Sequence, residues 1–405
     1  MKPVAEASAE ILAAFQPLGV ERLPLLSALG RFCAEPCVAR RALPPFHNSA
    51  MDGYALRAQD VIAASAATPV VLPVVGESRA GGETPPALAP GTCMRIFTGA
   101  PLPGGANAVE LQENVLRQDD QLTLLSALRV HDNVRLTGSD VQQGALLLAR
   151  HSELTPGEVA LLASQDVAAV SVFRKPRVAI MCTGDELRDI GEAERPGSIV
   201  SSNAYGLAAQ VLAAGGEPWV LPTVRDTRED VARALRQALR ADVIVLSGGV
   251  SVGDYDVVRE GLADAGIVLG FWKVQMKPGK PVSFALHGNV PVLGLPGNPV
   301  SAWVTFELFV RPGLRKMLGD LSPHRSELQV RLAAELKRSP GRTEFARARL
   351  IRDAAGFVAH LLSKQSSGAL SSMVGVDALL ELPAERDRLA AGELVRALLL
   401  RALPA

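Results

Sequence analysis

Residues 241–256 read ADVIVLSGGVSVGDYD. The run is apolar and β-branched until it meets Ser247, Gly248 and Gly249, so residues 242–246 are expected to form a buried, parallel-type strand that ends in a glycine turn. In a doubly wound sheet, ligands settle beyond the carboxyl ends of strands, where bare glycine backbone lets N–H groups approach anionic oxygens. Ser251 continues the same polar loop. Shortly after it, FWKVQMKPGKP (271–281) carries Lys273, Lys277 and Lys280, three of the chain's eight lysines against thirty-four arginines. Compact ammonium charges beside a glycine loop suit a multiply charged, oxygen-rich ligand. Asp254 and Asp256 follow the glycines, and acids near an anion site make sense where Mg²⁺ bridges them to phosphate oxygens. Each feature taken singly has a plainer reading. An SGG turn is an ordinary turn, three lysines make an ordinary solvated edge, and Asp254 is an N-cap for a helix over 255–262.

Upstream, the pattern alternates. An apolar strand over 177–182 ends in TGDEL, a helix covers 202–214, and a strand over 219–223 ends in Val224-Arg225-Asp226. Thr227 then caps a helix that runs to Arg240, with Asp230 three residues on. Strand–helix alternation implies a mostly parallel sheet, and loops that follow its strands share one edge. That brings Asp185, Glu186, Asp226, Asp256 and the lysines to one crevice. Downstream, residues 281–306 contain no Asp, Glu, Lys or Arg, but Pro281, Pro291, Pro296 and Pro299 interrupt them too often for a membrane span. They are expected to form a strand pair feeding a helix through GLPGNP, which contains Pro296, Asn298 and Pro299.

The remaining sequence is of other kinds. Residues 4–18 have helical periodicity with Glu6 and Glu10 inside it, which fits an amphipathic helix and not a signal peptide. After an irregular stretch over 24–40, PPFHNSAMDGYALR makes a shaped loop holding Asp52 and leads into a strand at 54–57. Short apolar runs over 61–128 alternate with Gly/Pro clusters, the mark of a small β domain, with Thr98 at a strand end in RIFTGAP. Arg135 and Asp140 follow in NVRLTGSD. A mixed connector over 144–172 contains one helix, with Thr155 as N-cap and Pro156 at its first position. Alternating runs at 327–332, 346–351 and 357–362 indicate a second β domain. With 405 residues and a formal net charge of zero, the chain has several cores and no basic run, which argues against nucleic acid or an anionic membrane as partner. Its four cysteines lack a disulfide or zinc spacing and fit a reducing cytoplasm.

SAMDGYA, RIFTGAP, TGDEL, SGGVSVGDYD, KPGKP, GLPGNPVSA, GRTEF and QSSG stand in an order that resembles the molybdopterin molybdenumtransferases, the family of bacterial MoeA proteins and the E domain of gephyrin. The resemblance spans nearly the whole chain. It implies a multi-domain α/β plus β protein: a doubly wound, mostly parallel molybdopterin-binding domain over 173–322 that packs a helix from 1–21, a mixed connector from 22–43 plus 145–172, and β-rich domains at 44–144 and 323–405. It also implies insertion of molybdenum from molybdate into adenylylated molybdopterin, with Mg²⁺ and release of AMP, in a cleft between the subunits of a cytoplasmic homodimer. Contacts with the adenylylating enzyme and with downstream maturation proteins would follow. By resemblance, Asp52, Thr98, Asp140, Glu186, Asp226 and Asp256 are the catalytic candidates, and Glu186, Asp226 and Asp256 the candidate metal ligands. The substrate-binding set is Ser247, Gly248, Gly249, Ser251, Lys273, Lys277, Lys280, Arg135, Pro296, Asn298, Pro299, Arg342 and Ser366. His47 stands where relatives often have Asp, and LTGSD replaces a more basic RGED-like run. Two alternatives share some of these features: a related molybdopterin adenylyltransferase, and a non-catalytic gephyrin-like scaffold.

Overall fold

A computed structural model describes residues 1–248 and 257–403. Gly249, Ser251, Asp254, Asp256 and the expected helix start at Tyr255 lie outside the described residues. The chain divides into two compact units, one made of Met1–Leu23, Gly30–Ala34 and Ser171–Ala405, the other of Pro24–Leu29 and Glu35–Val170.

The first element is α1 (Val4–Ala14), which belongs to the larger unit. It stops short of the expected residue 18 because Phe15 turns extended and Pro17 has no N–H to continue the helix. The smaller unit is built on strands β1 (Gly53–Leu56), β2 (Val70–Ser78), β3 (Cys93–Ile96), β4 (Ala108–Leu111), β5 (Val115–Gln118) and β6 (Gln121–Leu124). They form one sheet in the order β4-β1-β3-β2-β6-β5. Leu56, Leu72, Cys93, Leu122 and Leu124 alternate inward to make its core. Further along this unit, α2 (Pro156–Ser164) opens with Pro156 at its first position, and the Thr155 N–H donates to Glu158 Oε2 at 3.0 Å.

The larger unit contains β7 (Arg177–Cys182), α3 (Ser202–Ala213), β8 (Glu217–Val220), α4 (Arg228–Ala238), β9 (Val243–Ser247), α5 (Val257–Asp264), β10 (Leu269–Trp272), β11 (Ser283–His287), β12 (Val290–Leu295), α6 (Pro299–Thr305) and α7 (Arg311–Met317). Sheet order is β8-β7-β9-β12-β11-β10, with the first four strands parallel and the last two antiparallel. Alternate residues of the buried strands divide between two layers. Val178, Ile180, Val243 and Val245 pack with α1, α3, α6 and α7, whereas Ala179, Met181, Ile244 and Leu246 pack with α4 and α5. This is the doubly wound arrangement expected from the sequence. Two strands sit one to three residues from expectation. The second parallel strand is Glu217–Val220 because it registers with Arg177–Ile180, and Asp242 stays outside β9 because its carboxylate accepts from Arg174 and from the Arg177 N–H. Thr227 caps α4 as expected, its hydroxyl accepting from the Asp230 N–H.

Beyond α7, strands β13 (Glu327–Leu332), β14 (Thr343–Asp353), β15 (Gly356–Leu361), β16 (Ala378–Leu382) and β17 (Leu394–Leu399) pair in the circuit β14-β15-β13-β17-β16 and back to β14, a closed barrel that leaves no free sheet edge among these five. Its interior is filled by Val330, Ala348, Leu380, Leu382 and Ala397. The short strand Met276–Lys277 adds to β14 in parallel. Among the described residues no helix is long and apolar enough to cross a membrane.

Candidate functional site

The chain leaves β7 toward β8 through α3 and returns from β8 to β9 through α4, and these helices cover opposite faces of the sheet. The carboxyl ends of neighbouring β7 and β9 therefore diverge at a topological switch, where doubly wound folds open a crevice. A cleft of about 490 Å³ lies there, lined by Thr183, Glu186, Ser201 to Asn203, Asp226, Ser247, Gly248, Pro281 and Pro296 to Pro299 among others.

Close backbone approach shapes this cleft. Gly248 has φ +100°, and a Cβ on it would lie 2.4 Å from the Thr183 carbonyl oxygen. Only glycine fits that position without moving the β7 loop. Asn203, in the first turn of α3, donates through Nδ2 to Ser247 Oγ at 2.9 Å and to the Gly297 carbonyl at 2.8 Å. One amide thus ties the loops after β9 and β12 to α3. Ser247 Oγ in turn donates to the Pro296 carbonyl at 3.3 Å.

Acidic groups gather in the loops after β7 and β8. The Asp226 N–H donates to Asp185 Oδ1 at 3.3 Å, so the loops after β7 and β8 meet. Withdrawal from water, followed by the like charges of Asp185 and Glu186, holds the Asp226 carboxyl above its ordinary range, against the Thr183 hydroxyl. Such a carboxylate group attracts a cation. Among the described residues, however, no three His, Cys, Asp or Glu side chains converge closely enough to hold a metal ion by themselves. Cys182 also lines the cleft, but burial pushes its thiol up to about 11, so it is an inert wall.

Of the residues singled out from sequence, Glu186, Asp226, Ser247, Gly248, Pro296, Asn298 and Pro299 line this one cleft. None of the three lysines does, although Pro281 beside Lys280 is in its wall. Lys277 is engaged with Glu344, Nζ to Oε1 at 3.0 Å, and Lys273 has a positive φ of 93° in a loop closed by a Val274 N–H to Lys280 carbonyl bond of 3.0 Å. Arg342 is exposed at the start of β14, and its carbonyl accepts from Arg338. The Ser366 carbonyl accepts from Arg347 at 3.3 Å. It is the next residue, Ser367, that reaches the cleft wall, its Oγ accepting from Asn298 Nδ2 at 3.2 Å.

The smaller unit holds a separate group. Asp52 Oδ1 accepts from the Thr98 N–H at 2.7 Å and the Thr98 hydroxyl at 2.8 Å, and these bonds, with Arg95 nearby, hold the Asp52 carboxyl below its ordinary range. The two sequence candidates thus form one unit, a carboxylate aimed by a neighbouring loop. Arg135 lies opposite Asn48 in a short antiparallel pair, and the Asp140 N–H donates to the Leu43 carbonyl at 3.0 Å. The two departures from the family pattern meet each other: His47 Nδ1 accepts from the Thr137 N–H at 2.8 Å and lies 2.9 Å from the Thr137 hydroxyl.

Sequence reasoning missed Asn203, Ser201, Thr183 and Ser367. Ser201-Ser202-Asn203 before an apolar helix reads as a cap cluster, and its orientation toward the cleft follows only from strand order.

Three family models cover the chain in order. The MoeA N-terminal region (domains I and II) matches residues 2–165, a probable molybdopterin binding domain matches 179–316, and the MoeA C-terminal region (domain IV) matches 329–400. A doubly wound domain of that kind, joined to β-rich modules, defines a protein of molybdenum cofactor biosynthesis. Among relatives, the molybdopterin molybdenumtransferase of Nostoc sp. is 41% identical over 74% of this chain and 70% of its own length. Molybdopterin molybdenumtransferase 2 of Mycobacterium tuberculosis is 36% identical over 95% of both chains. The crystal structure of the molybdopterin biosynthesis MoeA protein from Pyrococcus horikoshii superposes with a TM-score of 0.84 at 31% identity, covering 98% of this chain and 100% of that one. The chain belongs to the molybdopterin molybdenumtransferase family, and it is an enzyme of that kind.

Proposed function

We propose that this enzyme transfers molybdenum from molybdate to adenylylated molybdopterin and releases AMP. The observation that carries the proposal is the switch-point cleft, which the Ser247-Gly248 turn, Asn298, Glu186 and Asp226 all line. Molybdate and a pterin dithiolate are both anionic, and joining them requires donors and cations to offset their repulsion. The Ser247-Gly248 backbone and Asn298 would receive phosphate oxygens of the pterin substrate. Lys280, Lys273 and Lys277, with Arg342 and Ser366, would supply the molybdate side. In Lys277 that role competes with its ion pair to Glu344.

A divalent ion fits this acidic group, because the like charges of Asp185 and Glu186 already raise the proton affinity of Asp226. Mg²⁺ is commonly held by one or two carboxylates, substrate phosphates making up the rest of its shell, so Glu186 and Asp226 would hold it, joined by Asp256. When bound, it would neutralise charge on phosphate oxygens. The test is AMP release from adenylylated molybdopterin by the purified chain. The reading expects release that depends on molybdate and Mg²⁺; equal release without molybdate overturns it.

Asp52, Thr98, Arg135 and Asp140 would complete the cleft of a partner copy in a homodimer. Mixing inactive Asp52→Ala and Asp226→Ala chains should then restore activity, since random pairing makes half the dimers mixed, each with one intact site, or about a quarter of wild-type sites. No recovery on mixing would exclude a shared site.

A further inference from the structure

Arg347, on β14, is 0% exposed and the bulkiest of the fully buried side chains. A guanidinium is a costly occupant of a barrel wall unless its N–H groups are used. Here burial lowers its proton affinity, and Glu344 offsets only part of that. Nε and Nη1 have no hydrogen-bond partner among the described residues. An apolar side chain would fill the same space without those orphaned donors, so packing alone does not account for an arginine here.

Its remaining bonds run to one loop. Nη2 donates to the carbonyls of Lys364 at 3.0 Å and Ser366 at 3.3 Å. Gln365 doubles the grip: its Oε1 accepts from the Arg347 N–H at 3.1 Å, and its Nε2 donates to the Arg347 carbonyl at 2.8 Å and to that of Leu362 at 3.0 Å. The opposite side of the loop meets the cleft. The Val300 N–H, in the first turn of α6, donates to the Ser367 carbonyl at 3.1 Å, and Asn298 Nδ2 donates to Ser367 Oγ at 3.2 Å. Asn298 and Pro299 are cleft walls. A continuous set of bonds therefore runs from the buried arginine through residues 364–367 to the substrate side of the cleft.

We infer that Arg347 is a positioning residue for the reaction, holding the QSSG loop against Asn298 and the first turn of α6 so that this wall is fixed before substrate arrives. The inference rests on reading the cleft as the substrate site. Arg347 touches no substrate itself; it acts through Gln365, Ser366 and Ser367.

The test uses the full-length protein and two readouts, amide hydrogen exchange and steady-state kinetics. Arg347→Met should speed exchange of the Val300 amide about tenfold or more, the change expected for loss of a charge-assisted hydrogen bond, and Ser367→Ala, a variant that leaves the barrel untouched and loses one neutral bond, should speed it about threefold or more. Barrel amides such as Val330 and Val395 should keep wild-type exchange in Ser367→Ala. Both variants should lower kcat/KM by a similar factor, and Arg347→Lys, which restores one donor, should recover part of it. Unchanged Val300 exchange in both variants overturns the inference, as does an activity loss in Arg347→Met that Ser367→Ala does not share. If wild-type protein lacks molybdate-dependent AMP release while Val300 exchange still responds, the proposed reaction fails and the loop linkage stands.

Discussion

Asp226 shows how a single residue records the purpose of its surroundings. Its folded-state pKa is raised, so the folded protein holds this proton more tightly than the unfolded chain does. Ionised Asp226 therefore subtracts from stability once pH rises through the window above the ordinary value of 3.8, and subtracts nothing below it. Asp226→Asn should accordingly melt at a higher temperature than wild type at neutral pH, with the advantage shrinking toward zero as pH falls to about 3.8. If Mg²⁺ relieves the same repulsion, it should raise the wild-type midpoint more than the Asp226→Asn midpoint; an equal response would remove Asp226 from the metal site. Asn203 makes the complementary case, a residue whose importance is geometric. Asn203→Ala removes two hydrogen bonds of about 0.5–1.5 kcal/mol each, so urea denaturation should show a loss of about 1–3 kcal/mol together with reduced turnover. Asp226 was legible in the sequence as the acid after a strand. Asn203 was not, because a cap residue and a cleft residue look alike until strand order decides which way the helix end points.

Among elements, the strands were the legible part. β7, β9 and β12 are largely apolar runs that each end at a glycine or proline turn, and burial on both faces leaves such runs few other structures to adopt. The edges were less legible: β8 falls at residues 217–220 in place of 219–223 because pairing with β7, not local pattern, sets its ends. The placement of the lysine segment was less legible for a related reason. Clustering in sequence suggested convergence on the cleft, yet Met276–Lys277 is drawn into a pairing with β14 and Lys277 meets Glu344 there. The turn after β9 allows a sharp prediction at this scale. Gly248→Ala would combine a positive φ with a Cβ placed 2.4 Å from the Thr183 carbonyl oxygen, so the β7 and β9 loops must separate. Backbone strain of this kind costs about 1–3 kcal/mol. The variant should stay folded, lose that much stability, and lose binding of the pterin substrate by calorimetry; wild-type affinity would show that the two loops need not touch.

For the whole molecule, the larger unit is assembled from both ends of the chain, and α1 is the piece that must find its place from farthest away. Ala7, Ile11 and Phe15 are each 0–1% exposed, in the same core layer as Val178, Val245, Phe309 and Leu314. Phe15 sits so closely against α7 that a Cβ at Gly313 would lie 2.5 Å from its ring, while the Leu18 N–H donates to the Met317 carbonyl at 3.0 Å. A loosely docked N-terminal arm would show neither the burial nor the backbone bond. Phe15→Ala should therefore behave as a core truncation, costing about 3–5 kcal/mol in the cooperative unfolding of the larger unit. An exposed terminal helix would lose less than about 0.5 kcal/mol on the same change. Tryptophan fluorescence follows the right unit, since Trp219, Trp272 and Trp303 all lie in it. A fluorescence midpoint unmoved by Phe15→Ala would mean that α1 is an appendage, and that the sheet with α3, α6 and α7 closes its own core.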